Sequence, residues 1–323
     1  MTKKNSYIFL LLCSALFAGL TLFLISSKDV ESVEIQHPVV SAMTASVPIP
    51  AFVEFCGDRI SLERLDMRER FDREVNSFTY FHSTTLLYFK RANRYFPVIE
   101  PILKENGIPD DFKYLCVIES NLDVRALSPA KAAGLWQFME ATGKGYGLEI
   151  STEVDERYHI EKSTQAACKY FKDAYGRYSN WVDVAASYNA GMGRISSSMK
   201  EQLVDSAFDL LLVSETSRYV FRIMAIKEIF ENPRKYGFLL KKENLYPLVP
   251  VQLKEVSSDI VNLALFAKEN GINYMQLKDY NIWLRGTKLK IVAGKTYQIA
   301  IPKKEDLFYD KNKVKIHNKN WIN

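Results

Sequence analysis

From Leu65 to Pro233 the apolar positions recur at three- and four-residue intervals, the spacing that lines one face of a helix. Leu65 to Glu105 reads as helical throughout. It holds the charged, striped segment Arg68-Glu-Arg-Phe-Asp-Arg-Glu-Val75 and a second one starting at Leu86. Pro97 and Pro101 punctuate the approach to an Asn106-Gly107-Ile108-Pro109 turn. Phe112, Leu115, Cys116 and Ile118 predict the next helix, with Asp110 and Asp111 as its starters. Three glycines, at 143, 145 and 147, break regularity between Thr142 and Leu148. Helical period returns over Glu161 to Tyr178, with Ser163 as cap and Ala166, Ala167, Tyr170 and Phe171 inward. It returns again over Trp181 to Tyr188, before a turn at Asn189–Gly193, and over Ser214 to Phe230. No strand pattern interrupts residues 60–232, so this part is expected to be nearly all α.

The texture changes after Tyr246-Pro-Leu-Val-Pro250. Val251 to Val256 alternates like a strand, Ile260 to Glu269 and Tyr274 to Tyr280 read as helices, and Lys295 to Ile301 alternates again. The expectation is a mainly α protein with a small α+β module of β-α-α-β order. The domain plan is 1–27 for export, 28–50 as linker, 51–245 as the helical domain, 246–305 as the module and 306–323 as a tail that carries no reading.

At the other end, Lys3 and Lys4 precede a charge-free apolar stretch from Tyr7 to Ile25. It is long for the core of a cleaved signal and about long enough to span a bilayer, so signal peptide and membrane anchor both stay open. Either places the remainder outside the cytoplasm, in the periplasm, with the basic side retained within. Leu12 stands before Cys13 where a lipoprotein wants a small residue. The net charge of +5 is compatible with an anionic polymer as partner, and no basic-aromatic cluster of the nucleic-acid kind occurs. Four cysteines show no metal spacing. Cys116 and Cys168 read as small buried hydrophobes, while Cys56, in a loop-like stretch, is open to pairing. Neither a metal nor an organic cofactor is expected.

The chemistry concentrates at Glu119, which follows the apolar run Tyr114-Leu-Cys-Val-Ile118. A carboxyl leaving the apolar end of a core helix is expected to have a raised pKa, the property a general acid needs near neutrality. The plainer reading is a helix-end carboxylate facing water. Its company shifts the balance. Ser120 and Asn121 break the helix, and Gly134-Leu-Trp-Gln-Phe-Met139 offers close backbone approach, an indole face and an amide. Further on, Ala185-Ala-Ser-Tyr-Asn-Ala-Gly191 sets a Tyr and an Asn among small residues. Together they predict a cleft for a polar ligand.

Glu119-Ser120, Gly134 to Met139 and Tyr188-Asn189-Ala-Gly191, in that order, resemble the lytic transglycosylases of the goose-lysozyme-like superfamily, and most of all the membrane-bound murein transglycosylase D type. The likeness runs from about Phe71 to Phe238 and includes Val154-Asp-Glu-Arg157, Glu161-Lys-Ser-Thr164 and Glu215-Thr216 with Tyr219. Glu140, where many relatives have Pro, and Ser187, where Ala is usual, depart from the pattern. The resemblance implies a lysozyme-like helical domain that cleaves peptidoglycan between N-acetylmuramic acid and N-acetylglucosamine, without a cofactor. Glu119 would be the single acid and then base, closing a 1,6-anhydro ring. Ser120, Gln137, Tyr188 and Asn189 would contact the sugar and Tyr219 would hold the acid, while Trp136 is either stacking face or core. Residues 251–301 resemble a degenerate LysM module, with Ser258-Asp259 where Gly-Asp is usual, which implies glycan binding or a packing appendage. The rival functions are a goose-type hydrolase, which needs a second carboxylate, and a cell-wall binder without activity. Asp123 belongs to a polar turn and makes a poor second acid.

Overall fold

The computed structural model describes residues 45–292 and 294–322. The apolar stretch Tyr7–Ile25, Cys13 and most of the linker lie outside the described residues, and residues 45–50 form no regular element. The first element is one the sequence pattern missed, a hairpin of β1 (Phe52–Phe55) and β2 (Asp58–Ser61), paired Phe52↔Ser61 to Phe55↔Asp58. Its two turn residues, Cys56 and Gly57, both have positive φ (54° and 90°), as a two-residue turn between twisted strands requires. Val53 and Phe55 point inward, and Cys56 N donates to Asp111 Oδ2 at 2.7 Å. Cys56, Cys116 and Cys168 are all free thiols.

The body is helical, as expected. Its elements are α1 (Leu65–Tyr80), α2 (His82–Glu105), α3 (Lys113–Ser120), α4 (Glu140–Gly145), α5 (Ile160–Tyr178), α6 (Trp181–Ala190), α7 (Met192–Gln202) and α8 (Ser214–Glu231). α2 runs through Pro97 and Pro101 to Glu105, where the helical stretch was expected to end, because Phe96, Ile99, Ile102 and Leu103 are all buried and their packing outweighs the lost backbone bonds. α4 and α7 differ from the sequence reading, forming where glycines suggested irregular chain. Ser163 lies inside α5, its hydroxyl bonding His159 O at 2.7 Å, so it is no cap. α8 packs on α1, α3 and α6, and α5 on α2, around one continuous core.

In the C-terminal module, β3 (Val251–Val256) and β4 (Tyr297–Pro302) pair antiparallel, Val251↔Pro302 to Val256↔Tyr297. Between them lie α9 (Leu263–Glu269), capped by Asn262, and α10 (Tyr274–Tyr280), opened by an Asn273–Gln276 capping box. Leu263, Ala267, Leu277, Leu284 and Ile299 are buried in a second core that also takes Ala133, Val154 and Tyr158 from the helical body. Backbone bonds cross the join: Asp155 N to Trp283 O at 2.8 Å and Arg285 N to Glu153 O at 2.7 Å.

The tail then returns to the body. Trp321 is buried among Phe89, Phe96 and Phe230 and donates its indole N–H to Phe230 O at 3.0 Å. Buried Asn93, on α2, holds both ends of the module. Its amide N–H groups donate to Tyr246 O and Lys315 O, each at 3.0 Å, and its oxygen accepts from His317 N.

Candidate active site

α3 is buried over Lys113 to Ile118, and Asn121 closes it in the left-handed region at φ 56°. Glu119, in its last turn, is half-buried, open on one side and packed on the other. Burial is the main influence on its carboxyl, and the nearby Glu215 charge adds to it. The Tyr219 hydroxyl and the Arg222 charge oppose them, and the balance raises the pKa to about 7. Tyr219, fully buried on α8, donates to Glu119 Oε1 at 2.5 Å. Oε2 has no hydrogen-bond partner among the described residues, so a proton there is available to a ligand.

Tyr188, at the end of α6, feels the Glu119 charge, and its hydroxyl donates to Trp136 O at 2.7 Å, tying α6 to the 134–139 loop. Asn189 Oδ1 accepts from Thr216 Oγ1 at 2.8 Å, and its N–H groups have no hydrogen-bond partner among the described residues. Gln137 is half-buried with φ 48°, and its amide N–H groups donate to Gly134 O at 2.9 Å and Ala126 O at 3.3 Å. Its oxygen accepts nothing among the described residues.

Trp136, left open between stacking face and core, and Ser120 both lie in the interior. Trp136 is wholly buried, its indole N–H on Thr164 Oγ1 at 2.9 Å, so it is core and no stacking face. Ser120 is buried, and its hydroxyl donates to Cys116 O at 2.8 Å, so its proton serves the helix end.

The loop bearing Gln137 is braced from below. A Cβ on Gly134, at φ 76°, would lie 1.9 Å from Arg157 O, so only glycine fits this crossing. The buried Arg157 guanidinium grips Lys131 O at 2.9 Å and Phe138 O at 3.1 Å, while Asp155 accepts from it at 2.9 and 2.7 Å. Sequence reading passed over Arg222 and gave Glu215, named only as part of the likeness, no role at the acid. Both lie on α8, Glu215 four residues before Tyr219 and Arg222 three after, and helical spacing around Tyr219 was the signal that could have found them. Asp123 is half-exposed, 3.6 Å from Arg91. Among the described residues no cluster could hold a metal ion.

Residues 96–206 match the family model "Transglycosylase SLT domain", and residues 252–305 match "Soluble lytic transglycosylase C-terminal LysM-like domain". The chain is 30% identical over 259 residues to membrane-bound lytic murein transglycosylase D of Escherichia coli, covering 77% of this chain and 55% of that protein. It thus spans about half the length of the curated relatives it matches. Among solved structures, the 70 kDa soluble lytic transglycosylase of Escherichia coli aligns at a TM-score of 0.38 and 22% identity, over 42% of this chain and 24% of that one. A lytic transglycosylase of Pseudomonas aeruginosa aligns at 0.34 and 18%, over 43% and 24%. The chain therefore joins a transglycosylase SLT domain to the LysM-like domain found at the C-terminus of soluble lytic transglycosylases.

Proposed function

We propose that this protein is a peptidoglycan lytic transglycosylase that breaks the bond between N-acetylmuramic acid and N-acetylglucosamine without water. Glu119 protonates the glycosidic oxygen through its unpartnered Oε2 while Tyr219 holds Oε1. The same carboxylate, now a base, takes the proton of the muramoyl C6 hydroxyl, which closes the 1,6-anhydro ring. The muramoyl N-acetyl group steadies the positive centre between the two steps. Gln137, Tyr188 and Asn189 line the sugar's path, and Ser120 acts by fixing the end of α3. The observation that carries this reading is a half-exposed carboxyl with a pKa of about 7, gripped by a neutral phenol on one oxygen only. The LysM-like module, seated against the helical body, supports glycan binding close to the cleft. The apolar stretch Tyr7–Ile25 supports export to the periplasm, with anchoring or cleavage as its two outcomes.

Glu215 favours one rival, hydrolysis, because it sets a second carboxylate near Glu119. Mass spectrometry of fragments released from purified sacculi separates the two. Transglycosylation gives ends lighter by one water and resistant to borohydride; hydrolysis gives reducible ends. Absence of release by the folded protein would leave only the binding role.

A further inference from the structure

We propose that Arg222 is a carboxylate-binding residue of the cleft, taking an anionic group from the peptide stems that the glycan substrate carries. This rests on the cleavage reading above. Arg222 follows Tyr219 by three residues on α8, so it stands one turn beyond the phenol that touches Glu119, on the same helix face. Its guanidinium lies 5.9 Å from the Phe78 ring, a contact that orients a cation without neutralising it. Among the described residues it is the half-buried arginine with neither a hydrogen bond nor an ion pair. The arginines on α1, α2 and α8 that share its degree of burial differ in this. Arg70 takes Phe208 O, Arg91 takes Asn121 O, Arg94 takes Pro247 O and Arg218 takes Glu74.

A cation withdrawn from water ordinarily has a partner, so its absence points to one that arrives with the ligand. The protein's own acids do not fill the role. Glu119 must be protonated to act, and Glu215 sits seven residues back, about 10 Å along the helix. Arg91 holds Asn121 O at 2.9 Å and lies 3.6 Å from Asp123. Tyr88 feels the charge of both arginines, so the cleft has a basic edge with Arg222 as its unclaimed member. Peptide stems end in carboxylates and hang from the muramoyl sugar whose bond is cut. A guanidinium one turn from the acid is placed to read them with its planar fork.

The test compares native sacculi with sacculi whose carboxylates have been converted to amides by carbodiimide coupling, using the purified full chain. Wild-type enzyme is expected to cleave the native polymer about 10-fold faster, the effect of one charge-assisted contact at a half-exposed site. Arg222→Gln is expected to be slower on native sacculi and to treat the two alike, while Arg222→Lys keeps part of the preference. Equal slowing on both substrates, or a wild type indifferent to amidation, overturns the proposal and makes Arg222 a support of Glu119. Should wild type release nothing from either, the cleavage reading fails. Co-sedimentation with the same two polymers then still reads the role of Arg222.

Discussion

Two neighbouring residues on α8, Arg218 and Tyr219, each meet a glutamate from another helix, and the two glutamates have different fates. Arg218 clamps Glu74 with two hydrogen bonds, at 2.6 and 2.9 Å, and Glu74 is 1% exposed. Tyr219 gives Glu119 one bond, at 2.5 Å, and leaves the other oxygen toward the open side. A forked cation fixes a carboxylate as an anion and makes it part of the scaffold. A lone phenol orients a carboxyl while letting burial hold its proton to about pH 7. One step along a helix separates an ion pair that binds α1 to α8 from an acid that can exchange a proton.

The sharpest way to break this contrast is Glu119→Gln, which removes the proton and keeps the shape. Release of muropeptides is expected to fall about 1,000-fold or more, and survival of near-normal release would move the acid elsewhere. Next comes the rate as a function of pH. It is expected to decline above about pH 7, as Glu119 gives up its proton. Tyr219→Phe removes a bond that favours the charged form, so that decline should move to higher pH, with the rate down about 10-fold. A midpoint that stays put would mean that the phenol does not set the acid. Glu74→Gln belongs to the other side of the comparison. It should cost about 2–3 kcal/mol in denaturant unfolding, through loss of a clamped buried anion, and leave the pH profile alone.

The smallest effect has the opposite sign. Glu119 titrates near 7 when folded and near its ordinary 4.5 when unfolded. The folded protein therefore holds the extra proton between those values, and the stability gained from it is lost as pH rises through 7. Glu119→Gln is then expected to raise thermal stability at pH 8 by about 2 kcal/mol, discounted for partial exposure, and to change little at pH 4. A variant no more stable at pH 8 would mean that the charged form is well accommodated.

Where the signal was local, the sequence was readable. Glu119 follows five apolar residues, so its buried approach and raised pKa could be foreseen. Gly134 announced a close backbone crossing, which Arg157 O supplies. The hairpin at Phe52–Ser61 escaped notice because its strands have four residues each and its turn lacks the usual Asn-Gly signal. The helix expected up to Glu105 survives Pro97 and Pro101 because local propensity yields to packing from residues far along the chain. Trp136, left open between stacking face and core, is core because Thr164, on α5, holds its N–H. Arg222 gained its meaning from an absence, which only the folded arrangement exhibits.

The grip of Asn93 on both Tyr246 and Lys315 gives the LysM-like module two necks anchored at one point. In topology it is an insertion rather than a trailing bead. Cutting the chain at Val251 would pull Trp321 out of the aromatic core along with the module. Clean removal instead calls for excising the loop between the necks and rejoining them. The same anchorage governs mechanics. A pull on the module loads both necks together, so tension is shared across α2 instead of peeling one end away. The module is thereby coupled to the helical body as a fixed handle.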